Sequence, residues 1–309
     1  MLMKIFKKKK MKKILISAAN GTIMPELVKY LKKSFYVIGI DSNEIGVAKK
    51  YCDEFYKSPS GKDVKFINFI KKIGIKVDMI FLFVDEELVT VSKNIHKLNK
   101  IKDKLILSPP RTIDICNDKK KFEKFFSEFK NINLPKFKMN KKNIIKPKIG
   151  RGSKNIFITK NYQIIKKFQK DKNFIVQEFI DGTEYTVDCL FDKSGKLIFS
   201  LPRERLLAQN VSIIGKTIKN KKINNFIELI SSKLNFYGPI NVQLIIRKNQ
   251  LYLIEINPRL SGSIIFSIKS NFDPIKTLFI IQKIKKYKIN ENKINYNKFF
   301  YRYLKSVSI

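Results

Sequence analysis

A chain of 309 residues, 44% of them hydrophobic, is long enough for two or three packed lobes and is not the composition of a disordered polymer. The formal net charge of +38 would suit nucleic acid or anionic lipid. The lysines, however, run through the whole chain without zinc spacings or an RNA-binding aromatic motif, and Lys, Ile and Asn dominate together as an AT-rich coding sequence produces.

No apolar run reaches the roughly 18 residues of a membrane span. Cys52, Cys116 and Cys189 match no metal or redox spacing, which suits a reducing cytoplasm. Residues 1–12 read as a basic tail open to disorder, with Met11 an alternative start, because Ile14-Leu-Ile-Ser17 is too short for the apolar core of a signal peptide. Lys13–Ser17 reads as a strand ending in the turn Ala18-Ala-Asn-Gly21, and Pro25 opens a helix to Lys33. Tyr36–Ile40 and Asp78–Val84 are further strands, and Leu105–Leu107 closes the lobe before Ser108-Pro-Pro110. Short apolar strands alternating with helices predict a parallel, doubly wound sheet.

The stripe Phe122, Phe125, Phe126 and Phe129 predicts a helix over about 118–130 with an aromatic core face. Lys146–Thr159 reads as strand, glycine loop and strand, and Phe174–Phe179 as a strand running into Asp181-Gly182. Tyr185–Phe191 and Leu197–Pro202 flank a hairpin turn at Asp192-Lys-Ser-Gly195. A helix spans about 224–234, and Asn241–Ile246 and Leu251–Asn257 are the last two strands.

Chemistry concentrates in three places. In Leu251-Tyr-Leu-Ile-Glu-Ile-Asn257, strand alternation puts Glu255 and Asn257 on one face and Ile254 and Ile256 on the other. An acid and an amide on an apolar strand suit a hard cation with oxygen ligands, and Pro258 lets Arg259 turn towards the same place to fork onto a phosphate. Gln243 adds another oxygen if it pairs directly with Glu255. That pairing requires an odd connection, such as Lys248-Asn-Gln250 between Arg247 and Leu251; a two-residue turn would send Gln243 to the other face. Second, Lys146-Pro-Lys-Ile-Gly-Arg-Gly-Ser153 offers a glycine loop whose amides can close over phosphate, behind a lysine. Third, Gln177-Glu-Phe-Ile-Asp-Gly-Thr-Glu184 is an apolar strand stopping in an acidic turn. Each piece alone has a bland reading as an ordinary strand face, turn or hairpin.

In this order the three pieces resemble the ATP-grasp superfamily, nearest its carbamoyl-phosphate-synthase-like branch, with a single ATP-grasp unit. The resemblance implies a mixed α/β chain: a Rossmann-like pre-ATP-grasp lobe at 13–110 and a two-lobed ATP-grasp domain at 111–309. Within that domain, 111–184 holds the small nucleotide-covering lobe and 185–309 the metal-binding lobe. Lys146 is implied to contact the α/β-phosphates and Gly150, Arg151, Gly152 and Ser153 to cover the triphosphate, with Lys119 a further nucleotide contact. Gln177, Glu178 and the Ile180 backbone are implied to hold adenine, and Glu184 the ribose. Gln243, Glu255 and Asn257 are implied to hold Mg²⁺ or Mn²⁺, and Arg259 to steady the transferred phosphoryl group. Arg203 and Arg205 fall where a carboxylate substrate would approach.

The implied activity is a cytoplasmic ATP-dependent ligase that joins a small-molecule carboxylate to an amine through an acyl phosphate. No specific nucleic acid or membrane partner is expected, and a homodimer is compatible with the sequence. The alternatives are a non-catalytic ATP-binding regulator of the same fold and an NAD-dependent oxidoreductase. The second is disfavoured because Ala18-Ala-Asn-Gly21 lacks the dinucleotide glycine pattern. The only histidine, His96, reads as a surface residue.

Overall fold

Ile14, Leu15 and Ile16 are fully buried, and the run that carries them is the central strand β1 (Lys12–Ile16) of a parallel sheet. The computed structural model describes residues 11–308 apart from Arg151, Ser153, Lys154, Asn210, Lys285, Lys286 and Leu304. The expected tail at residues 1–10 therefore lies outside the described residues, and Lys12 already belongs to β1. The chain divides into two units, Met1–Ile106 with Ser306–Ile309, and Leu107–Lys305.

In the first unit β1 is followed by α1 (Met24–Leu31), β2 (Phe35–Asp41), α2 (Ala48–Tyr51), β3 (Glu54–Lys57), α3 (Lys65–Gly74), β4 (Met79–Phe81) and α4 (Asp85–Lys93). Among the described residues the sheet order is β3-β2-β1-β4, all parallel, and Leu105 adds a parallel bridge to Ile80. Pro25 sits in the first turn of α1, whose Met24, Leu27, Val28 and Leu31 are buried. The run Asp78–Val84 is only partly strand. Asp78 is occupied by Lys12 Nζ (2.6 Å) and the Lys13 amide (2.8 Å), and the Phe83 amide donates to Ser17 Oγ (2.8 Å) instead of a ladder. Asp85, Glu86 and Glu87 then open α4, where negative charge complements the helix dipole. His96 is exposed, as expected.

The second unit opens with α5 (Pro110–Asn117) and α6 (Lys119–Ser127), followed by β5 (Asn143–Pro147), β6 (Phe157–Thr159), α7 (Tyr162–Lys170) and β7 (Phe174–Glu178). Next come β8 (Thr183–Phe191), β9 (Leu197–Gln209), β10 (Val211–Thr217), α8 (Lys221–Ser231), β11 (Gly238–Arg247) and β12 (Gln250–Asn257). The unit ends with α9 (Ile264–Lys269), α10 (Pro274–Ile281) and β13 (Phe299–Tyr301). Among the described residues these strands form two antiparallel sheets, β6-β5-β7 and β12-β11-β8-β9-β10-β13.

Alternation decides what each face of the larger sheet does. Tyr185, Val187, Cys189 and Phe191 of β8, with Ile240, Val242 and Leu244 of β11, are buried in one cluster with Ile223, Phe226, Ile227 and Ile230 of α8. Phe122 and Phe126 of α6 join that cluster with ring centroids 4.8 Å apart, while Phe125 and Phe129 pack on it from the side. Asp118 caps α6 by accepting from the amides of Lys120 (2.9 Å) and Lys121 (3.2 Å). The opposite face of the same strands carries the polar residues.

Candidate functional site

On that opposite face, one row runs Asp188–Asn241–Asn257 across β8, β11 and β12, and the next runs Thr186–Gln243–Glu255. Arg203 of β9 pairs with Thr186, and Glu184 lies one step further along β8. Glu184, Arg203, Arg205, Gln243, Glu255 and Asn257 are thus gathered on four neighbouring strands.

Gln243 stands directly opposite Glu255, as anticipated, but the connection differs from the expected three-residue one. Arg247 pairs with Gln250, so only Lys248 and Asn249 form the turn, both at positive φ (46° and 63°) as a two-residue hairpin with right-handed strand twist demands. This turn aligns Ile246 with Leu251 and Leu244 with Leu253, which sends all three leucines into the core. A one-residue register shift at Ile254 then resets the ladder, so that Ile256 is buried and Glu255 and Asn257 reach the polar face. Ile254 and Ile256, expected to share a face, are thereby separated; the spacing Leu251, Leu253, Ile256 already requires an extra residue.

Several polar atoms are mutually engaged. Asn257 Nδ2 donates to Glu255 Oε1 (2.9 Å), and Arg259 Nη2 donates to Asn257 Oδ1 (3.3 Å), so Arg259 does turn back to this face. Arg205 Nη1 forms an ion pair with Glu184 and lies 3.5 Å from Gln243 Oε1. Burial pushes the Glu184 carboxyl up; the Arg205 charge opposes this and the Glu255 charge adds to it. Arg203, expected to reach a substrate carboxylate, is only 1% exposed. Its Nε donates to Asp188 Oδ2 (2.8 Å) and its Nη2 to Ser261 Oγ (3.1 Å), while Ser267 Oγ donates to the same Asp188 oxygen. Asp188 was not anticipated, although an acid inside Tyr185-Thr-Val-Asp-Cys-Leu-Phe191 was a visible signal of a buried partner.

On the three-stranded sheet, Lys146 pairs with Ile175 and Gln177 with Ile144, so Lys146 and Gln177 share a face. Burial pulls the Lys146 ammonium down to about 8, against the pull of Glu255, which opposes the loss of charge; Lys119 lowers it further. Lys146 is therefore electrostatically joined to the metal-like end of the larger sheet. Glu178 faces the other way. Its carboxylate accepts from Arg247 Nη1 (2.8 Å) and pairs with Lys138 (3.1 Å). Gln177 and Glu178, expected to serve one base, are thus divided between two faces, and Ile180 is buried beside them.

The loop that follows β5 is tied to α6: the Lys119 amide donates to the Lys148 carbonyl (3.0 Å) and Lys119 Nζ to the Gly150 carbonyl (3.0 Å). Gly150 and Gly152 take φ of +155° and +68°, the region glycine enters without a Cβ penalty. Arg151 and Ser153 lie outside the described residues. Gly182 is required for another reason, because a Cβ there would run into the Ile246 carbonyl oxygen of β11.

The donor set of the metal-like end is one carboxylate, Glu255, with the amide oxygens of Gln243 and Asn257. Among the described residues no group of three or more His, Cys, Asp or Glu side chains could hold a metal. One carboxylate and two amide oxygens fit a hard cation such as Mg²⁺ that takes its remaining oxygens from phosphates and water. No helix of the described residues is long and apolar enough to cross a membrane.

Residues 116–263 match the model of an ATP-grasp domain, and residues 2–106 match that of a PylC-like N-terminal domain. Among curated proteins, the tyramine–L-glutamate ligase of Methanocaldococcus jannaschii is 31% identical over 107 residues, 33% of each chain. The carbamoyl phosphate synthase large chain of Caldanaerobacter subterraneus subsp. tengcongensis is 25% identical over 240 residues, covering 68% of this chain and 22% of that one. The match thus spans a third or less of either relative. Among solved structures, the N5-carboxyaminoimidazole synthetase of Staphylococcus aureus complexed with ADP superposes with a TM-score of 0.68 at 17% identity, over 87% of this chain and 76% of that one. At that identity the likeness bears on the fold.

Proposed function

Since the chain carries a single ATP-grasp domain behind a PylC-like N-terminal domain, we propose that it is an ATP- and Mg²⁺-dependent ligase that activates a carboxylate and joins it to an amine. The observation that carries this reading is the direct pairing of Gln243 with Glu255 beside Asn257, on the face that also holds Glu184 and Arg205.

In this reading Glu184 receives the ribose hydroxyls, Gln177 and the backbone near Ile180 receive adenine, and Lys146, Lys119 and the 150–153 loop receive the phosphates. Gln243, Glu255 and Asn257 would hold Mg²⁺, or Mn²⁺, which would supply charge neutralisation for the phosphates. Arg259, anchored to Asn257 Oδ1, would steady the γ-phosphoryl group. The carboxylate oxygen attacks the γ-phosphorus as the bond to the bridging oxygen breaks, giving ADP and an acyl phosphate. The amine lone pair then attacks the acyl carbon, inorganic phosphate leaves and the amine proton passes to solvent. Such transfer depends on positioning and charge neutralisation and calls for no covalent protein nucleophile. Arg205 is the better placed of the two arginines to meet a carboxylate, since Arg203 is engaged in the interior. The buried thiols of Cys52 and Cys189 accord with a cytoplasmic setting.

The test is ADP release with Mg²⁺ against a panel of carboxylic acids and amines. Release that requires one acid and one amine together supports the ligase. ADP binding with no release across the panel would point to an ATP-binding regulator of the same fold.

A further inference from the structure

Glu123 has no part in the reading so far, yet it lies half-buried on α6 beside the nucleotide residues. Its Oε2 accepts a hydrogen bond from Gln177 Nε2 at 3.3 Å. Gln177 is 6% exposed, shares a face with Lys146, and its Oε1 is buried without a hydrogen-bond partner among the described residues. A buried amide oxygen without a donor is costly unless a ligand supplies one.

An ionised carboxylate can only accept, whereas an amide presents a donor at one end and an acceptor at the other. The contact with Glu123 therefore settles which end of Gln177 is spent and which remains. Burial pushes the Glu123 carboxyl up, while the Gln177 hydrogen bond and the charges of Lys146 and Lys136 hold it down.

We infer that Glu123 is a positioning residue for base selection: it fixes the Gln177 amide so that Oε1 accepts from the exocyclic amino group of adenine and repels the oxo group of hypoxanthine or guanine. The inference rests on the nucleotide reading above, in which Gln177 meets the base. An acceptor facing an oxo group leaves two buried lone pairs opposed, the kind of mismatch that buried hydrogen-bonding sites reject strongly.

The experiment is calorimetric titration of the full chain with ADP and, separately, IDP in the presence of Mg²⁺. IDP carries an oxo group and a ring N–H where ADP carries an amino group and a ring nitrogen. Wild type should prefer ADP by at least about 30-fold, in line with losing one buried hydrogen bond and opposing its acceptor. In Glu123→Gln the neighbouring amide can donate or accept, so Gln177 is released to turn and the preference should fall to within about threefold. Gln177→Met removes Oε1 at similar length and should fall likewise. Because each ratio is read within one protein, a general loss of affinity cancels. A wild type that binds neither nucleotide defeats the nucleotide reading itself. A wild type that binds both equally, or a Glu123→Gln that keeps the full preference alongside Gln177→Met, overturns the inference alone.

Discussion

Gln243 and Glu255 face each other across a hairpin whose two-residue turn would, in a regular ladder, set Gln243 against Ile254. The register shift at Ile254 reconciles two demands of one strand, apolar burial of Leu251 and Leu253 near the turn and presentation of Glu255 and Asn257 further along. The turn that starts this register is not optimal, since Lys248 adopts φ of 46°. Lys248→Asn with Asn249→Gly gives the preferred pair for such a turn and should stabilise the chain by about 0.5–1 kcal/mol. A urea midpoint unchanged or lowered would contradict the turn assignment.

Among the described residues, Glu255 is the carboxylate of the donor set it forms with Gln243 and Asn257. Glu255→Ala should reduce substrate-dependent ADP release by roughly 100-fold or more, the scale of losing a main transition-state stabiliser. Glu255→Asp, which keeps the charge, should lose less. Initial rates at saturating Mg²⁺ decide this, and near-normal release from the Ala variant would refute the site.

Lys146 gives a pH signature. Its ammonium is pulled down to about 8, so the empty site loses the charge as pH rises through that value. Phosphate binds the charged form better; ADP affinity should therefore hold below about pH 8 and weaken above it by up to about tenfold per unit. Lys146→Met should bind more weakly throughout and lack that step. The depressed value also means that charging Lys146 opposes folding below pH 8, a cost that fades as pH rises from there towards its ordinary value. Titrations from pH 7 to 9.5, paired with thermal melts, separate the two effects.

Arg203 and Asp188 are 1% and 2% exposed, and their ion pair joins β8 and β9 to Ser261. Arg203→Leu leaves a buried carboxylate without its counter-charge and should cost about 3–5 kcal/mol. Adding Asp188→Leu should recover much of that loss, which chemical denaturation of the single and double variants would reveal. Recovery that fails would mean the pair does more than balance its own charge.

The strands with clean alternation were legible, because side chains of β8 and β11 that alternate in sequence alternate between core and polar face. What escaped has physical reasons. β3 is four residues with charged ends, Glu54-Phe-Tyr-Lys57, and is a strand only because β2 lies beside it. β13 pairs with β10 across about eighty residues of chain, a relation that no local pattern encodes. In the site, motif order pointed to Arg203, Glu178 and Gln177, but not to the partners that hold them. Asp188, Arg247 and Glu123 act through contacts made only when distant segments meet. The division of Gln177 from Glu178 follows from strand alternation, since neighbouring residues of a strand face opposite sides.

The close approach of Gly182 to the Ile246 carbonyl has a mechanical consequence. The link from β7 to β8 is seated on bare backbone, leaving no room for even one methyl group. Gln177 before the link and Glu184 after it are therefore anchored on either side of a fulcrum without slack. A side chain grown at residue 182 would not simply crowd a turn; it would lever those two residues out of alignment and, in the function proposed, detune both ends of a nucleoside together.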